Sequence, residues 1–130
     1  MSLITRLLRA GDTGDHAEFH AVLDAAVVVH APAGLSTQGA QAEWASWEKA
    51  RTAMPGLTHT VIDVLTTPSL EAARVEVSGL FDGAYGGLVA HGRPFRIDQA
   101  VFARVEGGRI VELWEIVDVA ALRDQVESDS

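Results

Sequence analysis

The segment RIVELWEIVD carries acids on both sides of what reads as a β-strand, and it ends on the aspartate with the clearest claim to chemistry. Strand side chains alternate between faces, so Ile110, Glu112, Trp114, Ile116 and Asp118 fall on one side. An aspartate among Trp114, Ile116 and Ile97 has its charged form disfavoured, which moves a carboxyl toward the range where it exchanges protons near neutral pH. Asp118 also precedes VAALRDQV, a short amphipathic helix that aspartate caps well. The two roles are compatible. Glu112 is too far along the strand to share a proton with Asp118, and it is expected to form an ion pair with an arginine of the long helix, such as Arg51.

His30 ends a run of valines and reads either as a satisfied core histidine or as a pocket residue that binds a carbonyl oxygen or shuttles a proton. His59 alternates with Leu57 and Val61 and is a candidate for the same cavity, whereas His91, in the turn VAHGRP, is expected at the surface. His16 and His20 stand four apart on a helix, a spacing that can bind metal, but no carboxylate is placed to complete a site. No metal and no cofactor is expected. Trp44, Trp47, Arg51 and Met54 form one stripe of a helix, where tryptophans serve as core or dimer contacts; they also suit a flat ligand, as do Trp114 and Tyr85.

These residues need a scaffold. Leu3, Ile4, Leu7 and Leu8 recur at helical spacing, Gly11 and Gly14 punctuate, and HAEFHAVLDAA predicts a second short helix. AVVVHAPAG predicts a strand stopped by Pro32 and Gly34, and a helix is expected between Gln38 and Met54, before Pro55-Gly56. LTHTVIDVLTT, AARVEVSGLF, RPFRIDQAVFARV and RIVELWEIVD then predict strands, the last two joined by an EGGR hairpin turn. Helices first and antiparallel strands second imply an α+β domain whose helices cover one face of a curved sheet. The polar tail ESDS is expected to fray.

At 130 residues the chain, read as one domain spanning 1–130, buries a sufficient core without a staple, and it contains no cysteine. Ten basic residues against eighteen acidic ones give a net charge of −8, and the single lysine is Lys49. Nucleic acid is therefore an unsuitable partner. No stretch approaches the length of a membrane span and the N-terminus lacks a signal-peptide pattern, so a soluble, cytoplasmic protein is expected. Apolar residues on both faces of the strands, with few helices to cover them, point to a homodimer.

Three segments carry a resemblance. AMPGLTHTVIDV (residues 53–64), GLFDGAYGGLVAHGRPF (79–95) and ARVEGGRIVELWEIVD (103–118), in that order, resemble the SnoaL-like polyketide cyclases of the nuclear-transport-factor-two-like superfamily, and the likeness extends over nearly the whole chain. It implies a cone-shaped curved antiparallel sheet wrapped around a long helix, of the cystatin-like α+β barrel type, with one pocket and commonly a homodimer. In the founding cyclases an aspartate of the last strand is general acid and base in an intramolecular aldol closure, without metal or cofactor; Asp118 matches that position. The chain departs from the pattern at Phe81, where members often carry histidine, and at Gly56, where they often carry an acid. Pairing the last two strands about Gly107 and Gly108 sets Ala103 opposite Glu112, Val101 opposite Trp114, Gln99 opposite Ile116 and Ile97 opposite Asp118. That leaves Gln99 as the polar residue diagonal to Asp118.

The resulting expectation is a cofactor-independent acid–base enzyme of cyclase or isomerase type acting on an apolar, polyketide-like carbonyl compound. Asp118 would move the proton, His30 or Gln99 would hold the enolate oxygen, and Trp44, Trp47, Trp114, Tyr85 and His59 would line the ligand. The alternatives are a ligand-binding or dimerisation module of the same fold, and a hydratase or epoxide-opening enzyme.

Overall fold

The computed structural model describes residues 1–127; of the tail expected to fray, residues 128–130 lie outside the described part. The elements run α1 (Leu3–Thr13), α2 (His16–Val22), β1 (Leu23–His30), β2 (Thr37–Gln38), α3 (Ala40–Ala53), β3 (Thr58–Thr66), β4 (Leu70–Tyr85), β5 (Leu88–Glu106), β6 (Arg109–Val117) and α4 (Val119–Val126). The second helix stops earlier than its sequence suggests. LDAA continues as strand because Leu23 pairs with Ile110 of β6 and is fully buried there.

The six strands form one sheet in the order β2-β1-β6-β5-β4-β3. Every neighbouring pair is antiparallel except β1 with β6, which run parallel, so the sheet is mixed rather than wholly antiparallel. It stays open between β2 and β3 instead of closing as a barrel. The long β4–β5 hairpin is its backbone, turning at Gly86 and Gly87, both with positive φ.

The helices close one end of the concave face. Ile4, Leu7 and Leu8 of α1 are buried with Phe19 of α2, Val27 and Val29 of β1, and Ile110 and Leu113 of β6. Ser2 caps α1 through Thr5 N, and Glu71 of β4 accepts hydrogen bonds from Ile4 N at 3.0 Å and Leu3 N at 3.2 Å. A carboxylate at the positive end of the helix thereby ties α1 to the sheet. Gly11 has no side chain because Trp47 leaves no room for one: a Cβ there would lie 2.6 Å from the indole ring. Among the described residues no helix is long and apolar enough to cross a membrane.

The decisive local feature lies in β6. Val105 pairs with Ile110, but Arg104 pairs with Glu112, so Val111 is an extra residue in a β-bulge. Beyond it the pairs are Ala103–Leu113, Phe102–Trp114, Val101–Glu115, Ala100–Ile116 and Gln99–Val117. The one-residue slip exchanges the faces. Leu113 is fully buried, and Ile116, expected inside, is exposed.

Candidate functional site

Past the helical plug, the other end of the concave face holds a cavity of about 130 Å³. That corresponds to roughly ten waters, or a small ligand of fused rings. Its walls are mainly apolar, with Trp47, Met54, Leu57, Val77, Phe81 and Phe95 among them. Five polar side chains matter for its chemistry: Glu43, His59, Tyr85, Gln99 and Glu115.

The α3 stripe that faces the cavity runs through Glu43, Trp47, Ala50 and Met54, the three-and-four spacing of one helix face. Trp44 and Arg51 lie on a different face. The Trp44 ring stands 4.9 Å from that of Phe19 and 5.0 Å from that of His16, and the Arg51 guanidinium lies 4.9 Å over it. Arg51 Nη1 donates to Gly11 O at 2.6 Å, so it does not pair with Glu112 as expected.

Glu43 is buried and accepts a hydrogen bond from Thr37 Oγ1 at 2.7 Å. Burial pushes its carboxyl up to about 7, against the lowering effect of hydrogen bonds from Thr37 and Trp47. Glu115 comes from β6 and faces into the cavity, one pleat position from Val117. Its desolvation, with the nearby charge of Glu43, pushes it up to about 8, and among the described residues no hydrogen bond offsets this. The two carboxyls repel, so at neutral pH the pair retains a proton. Tyr85 hydroxyl sits 3.0 Å from Ser46 Oγ; burial raises its pKa, Ser46 opposes that, and Glu115 and Glu43 add to the rise.

Gln99 lies diagonal to Glu115 on the same face, because Val101 is the residue opposite Glu115. It is 6% exposed, and its Oε1 has no hydrogen-bond partner among the described residues. A buried unpaired amide oxygen is costly, and its position in the cavity suits a ligand or acid donor. His59 enters from β3. Its Nδ1 is 2.7 Å from Asp12 Oδ1, its backbone N donates to Asp12 Oδ2 at 2.6 Å, and its ring lies 4.9 Å from Trp47.

Of the residues singled out from sequence, the fold brings Gln99, Trp47, His59 and Tyr85 to the cavity. Asp118 lies outside it: exposed, it caps α4 by accepting from Ala121 N at 3.0 Å, while its own N donates to Asp98 O. The bulge at Val111 is the cause, since it turns Glu115 and Val117 inward in place of Trp114, Ile116 and Asp118. His30 and Trp114 are likewise on the outer face, their rings stacked 5.4 Å apart. There His30 Nε2 is 2.8 Å from Glu112 Oε2, and Arg104 reaches the same carboxylate at 3.7 Å. Trp44 packs outside the cavity against His16 and Phe19 of α2 and beneath Arg51 of its own helix. Sequence reading missed Glu115, Glu43 and Asp12. The spacing of Glu43 with Trp47 was a visible signal for one of them; for Glu115 no signal existed without the bulge.

The SnoaL-like polyketide cyclase family model matches residues 2–126. Among solved structures, wild-type IdmH from Streptomyces antibioticus, a proposed polyketide cyclase, is 27% identical with a TM-score of 0.82, covering 95% of this chain and 94% of its own. TsrD from Streptomyces laurentii is 23% identical (TM-score 0.84; 95% of this chain and 90% of that one) and shares the fold. So does a SnoaL-like protein from Jannaschia sp. CCS1, at 14% identity and a TM-score of 0.86, covering 98% and 91% of the two chains. None of the curated proteins compared by sequence matches the chain.

Proposed function

The chain belongs to the SnoaL-like polyketide cyclase family, and from that premise we propose that it is a cofactor-independent acid–base enzyme of the cyclase or isomerase type, with Glu115 as the proton-carrying carboxyl. The observation that carries the reading is the setting of Glu115: a carboxyl turned into a mainly apolar cavity, with no hydrogen bond among the described residues to offset its desolvation. Such a group is a neutral acid near pH 7 and gives a proton to an oxygen that gains charge during reaction. Gln99 beside it offers an amide oxygen without a partner among the described residues, an acceptor for a ligand or acid O–H. The apolar walls, with the Trp47 ring, suit a flat polyketide-like carbonyl compound.

A suitable test substrate is a methylcyclohexanedione bearing a butanone arm. It closes to a bicyclic ketol by losing a proton from the arm and gaining one on a ring oxygen. Closure followed by NMR should be accelerated by the protein and slowed by roughly two to four orders of magnitude in Glu115→Gln. A wild type that binds the dione without accelerating closure would reduce the protein to a ligand-binding module of the same fold.

We also propose that the protein works as a homodimer. On the outer face Phe102 pairs with Trp114 and Ala100 with Ile116. Phe102 and Ile116 are 39% and 58% exposed, an apolar strip that no helix among the described residues covers.

A further inference from the structure

We propose that Asp12 and His59 form a second proton-handling unit in this cavity, with His59 Nε2 as the base that removes the proton α to a carbonyl and Asp12 as its positioning residue. The inference rests on the acid–base reading of the site and assigns the two ends of the reaction to different walls.

Asp12 holds His59 at two points. One carboxylate oxygen accepts from the backbone N at 2.6 Å, and the other faces Nδ1 at 2.7 Å. A carboxylate only accepts, so Nδ1 carries a proton, and in the neutral ring Nε2 is the nitrogen with the lone pair. The side chains of His59 and Asp12 are only 8% and 13% exposed, and of the two residues it is His59 that lines the cavity. Trp47, 4.9 Å away, packs against the ring and limits its rotation. This pair needs more explanation than packing supplies, since two hydrogen bonds to one carboxylate fix a tautomer as well as an orientation.

The wall opposite carries the acid. β3 and β6 are separated by β4 and β5, three strand spacings or roughly 14 Å along the curved sheet. His59 and Glu115 therefore face the cavity from different sides, an arrangement suited to a flat substrate with two carbonyl groups. The C–H next to one carbonyl loses its proton to Nε2. The resulting enolate carbon attacks the second carbonyl carbon, a C–C bond forms as the C=O π bond breaks, and the oxygen takes the proton of Glu115. The imidazolium then returns its proton to the Glu115 carboxylate through water in the cavity. Substrate and product are isomers, and nothing is oxidised or reduced.

The same dione in D2O separates the two roles. In Glu115→Gln, ring closure should fall while deuterium still enters the arm carbon α to its ketone. In His59→Gln, both should fall, by roughly a hundredfold or more. Asp12→Asn should lower kcat for closure by a similar factor and leave KM within about threefold, since its carbonyl still reaches the His59 backbone N. Long-range 15N NMR of the wild type should show His59 protonated at Nδ1, and this needs no variant to fold. A His59 proton on Nε2, or deuterium uptake that survives His59→Gln and vanishes in Glu115→Gln, overturns the proposal and leaves the acid–base reading standing. A wild type inert in both assays removes that reading and the proposal together.

Discussion

Replacing Glu115 with glutamine should make the protein more stable at alkaline pH. Both Glu43 and Glu115 have carboxyls raised from 4.5, to about 7 and about 8. The folded state thus holds these two protons more tightly than the unfolded chain does. Their contribution is fully present below about pH 4.5 and is lost as pH rises through the folded-state values. Each pH unit of displacement is about 1.4 kcal/mol, which gives about 3 kcal/mol for Glu43 and about 5 kcal/mol for Glu115. Water entering at the cavity mouth reduces this, so a decline of about 4 to 8 kcal/mol is expected between about pH 5 and pH 9. That approaches the whole stability of an ordinary domain. Glutamine has the shape of a protonated glutamate, so Glu115→Gln should match the wild type near pH 5 and exceed it by about 3 to 5 kcal/mol near pH 9. Urea unfolding at matched ionic strength, analysed at a common m-value, measures the difference directly. Parallel stability curves for the two proteins across that range would refute the claim that Glu115 is a desolvated carboxyl, and would remove the basis for using it as an acid.

Gly11→Ala should cost about 1 to 3 kcal/mol in denaturant unfolding and change Trp47 fluorescence, because the new Cβ would lie 2.6 Å from the indole ring that also lines the cavity. Asp118→Ala should lose about 1 kcal/mol of stability through the α4 cap, Asp118→Asn almost none, and both should close the dione at the wild-type rate; a hundredfold loss in Asp118→Asn would return the catalytic role to that residue. Ile116→Lys, on the exposed strip, should leave the fold intact and shift light scattering from dimer to monomer; a wild type that is monomeric at micromolar concentration removes the dimer.

The sequence by itself determined the class of fold and the order of its parts. The leucine spacing in α1, the breaker-free run of α3 and the strand-forming runs of β3 to β6 are local patterns, and each forms the element it predicts. The resemblance carried by three ordered segments pointed to the family for a related reason: turn glycines within them, such as Gly86 and Gly107, adopt the positive φ that the hairpins here require. Tertiary structure alone decided which face of β6 is the inside. Leu23 and Val29 of β1 must pair with Ile110 and Leu113, and an odd separation of three between two buried residues of β6 is met by the bulge at Val111. An alternating strand read without that extra residue turns Asp118, Trp114 and Glu112 inward. With it, Glu115 enters the cavity, while Glu112 meets His30 and Arg104 outside. The pairing of Asp12 with His59 spans 47 positions in sequence. It depends on α1 lying against β3, a contact between elements that no local period encodes.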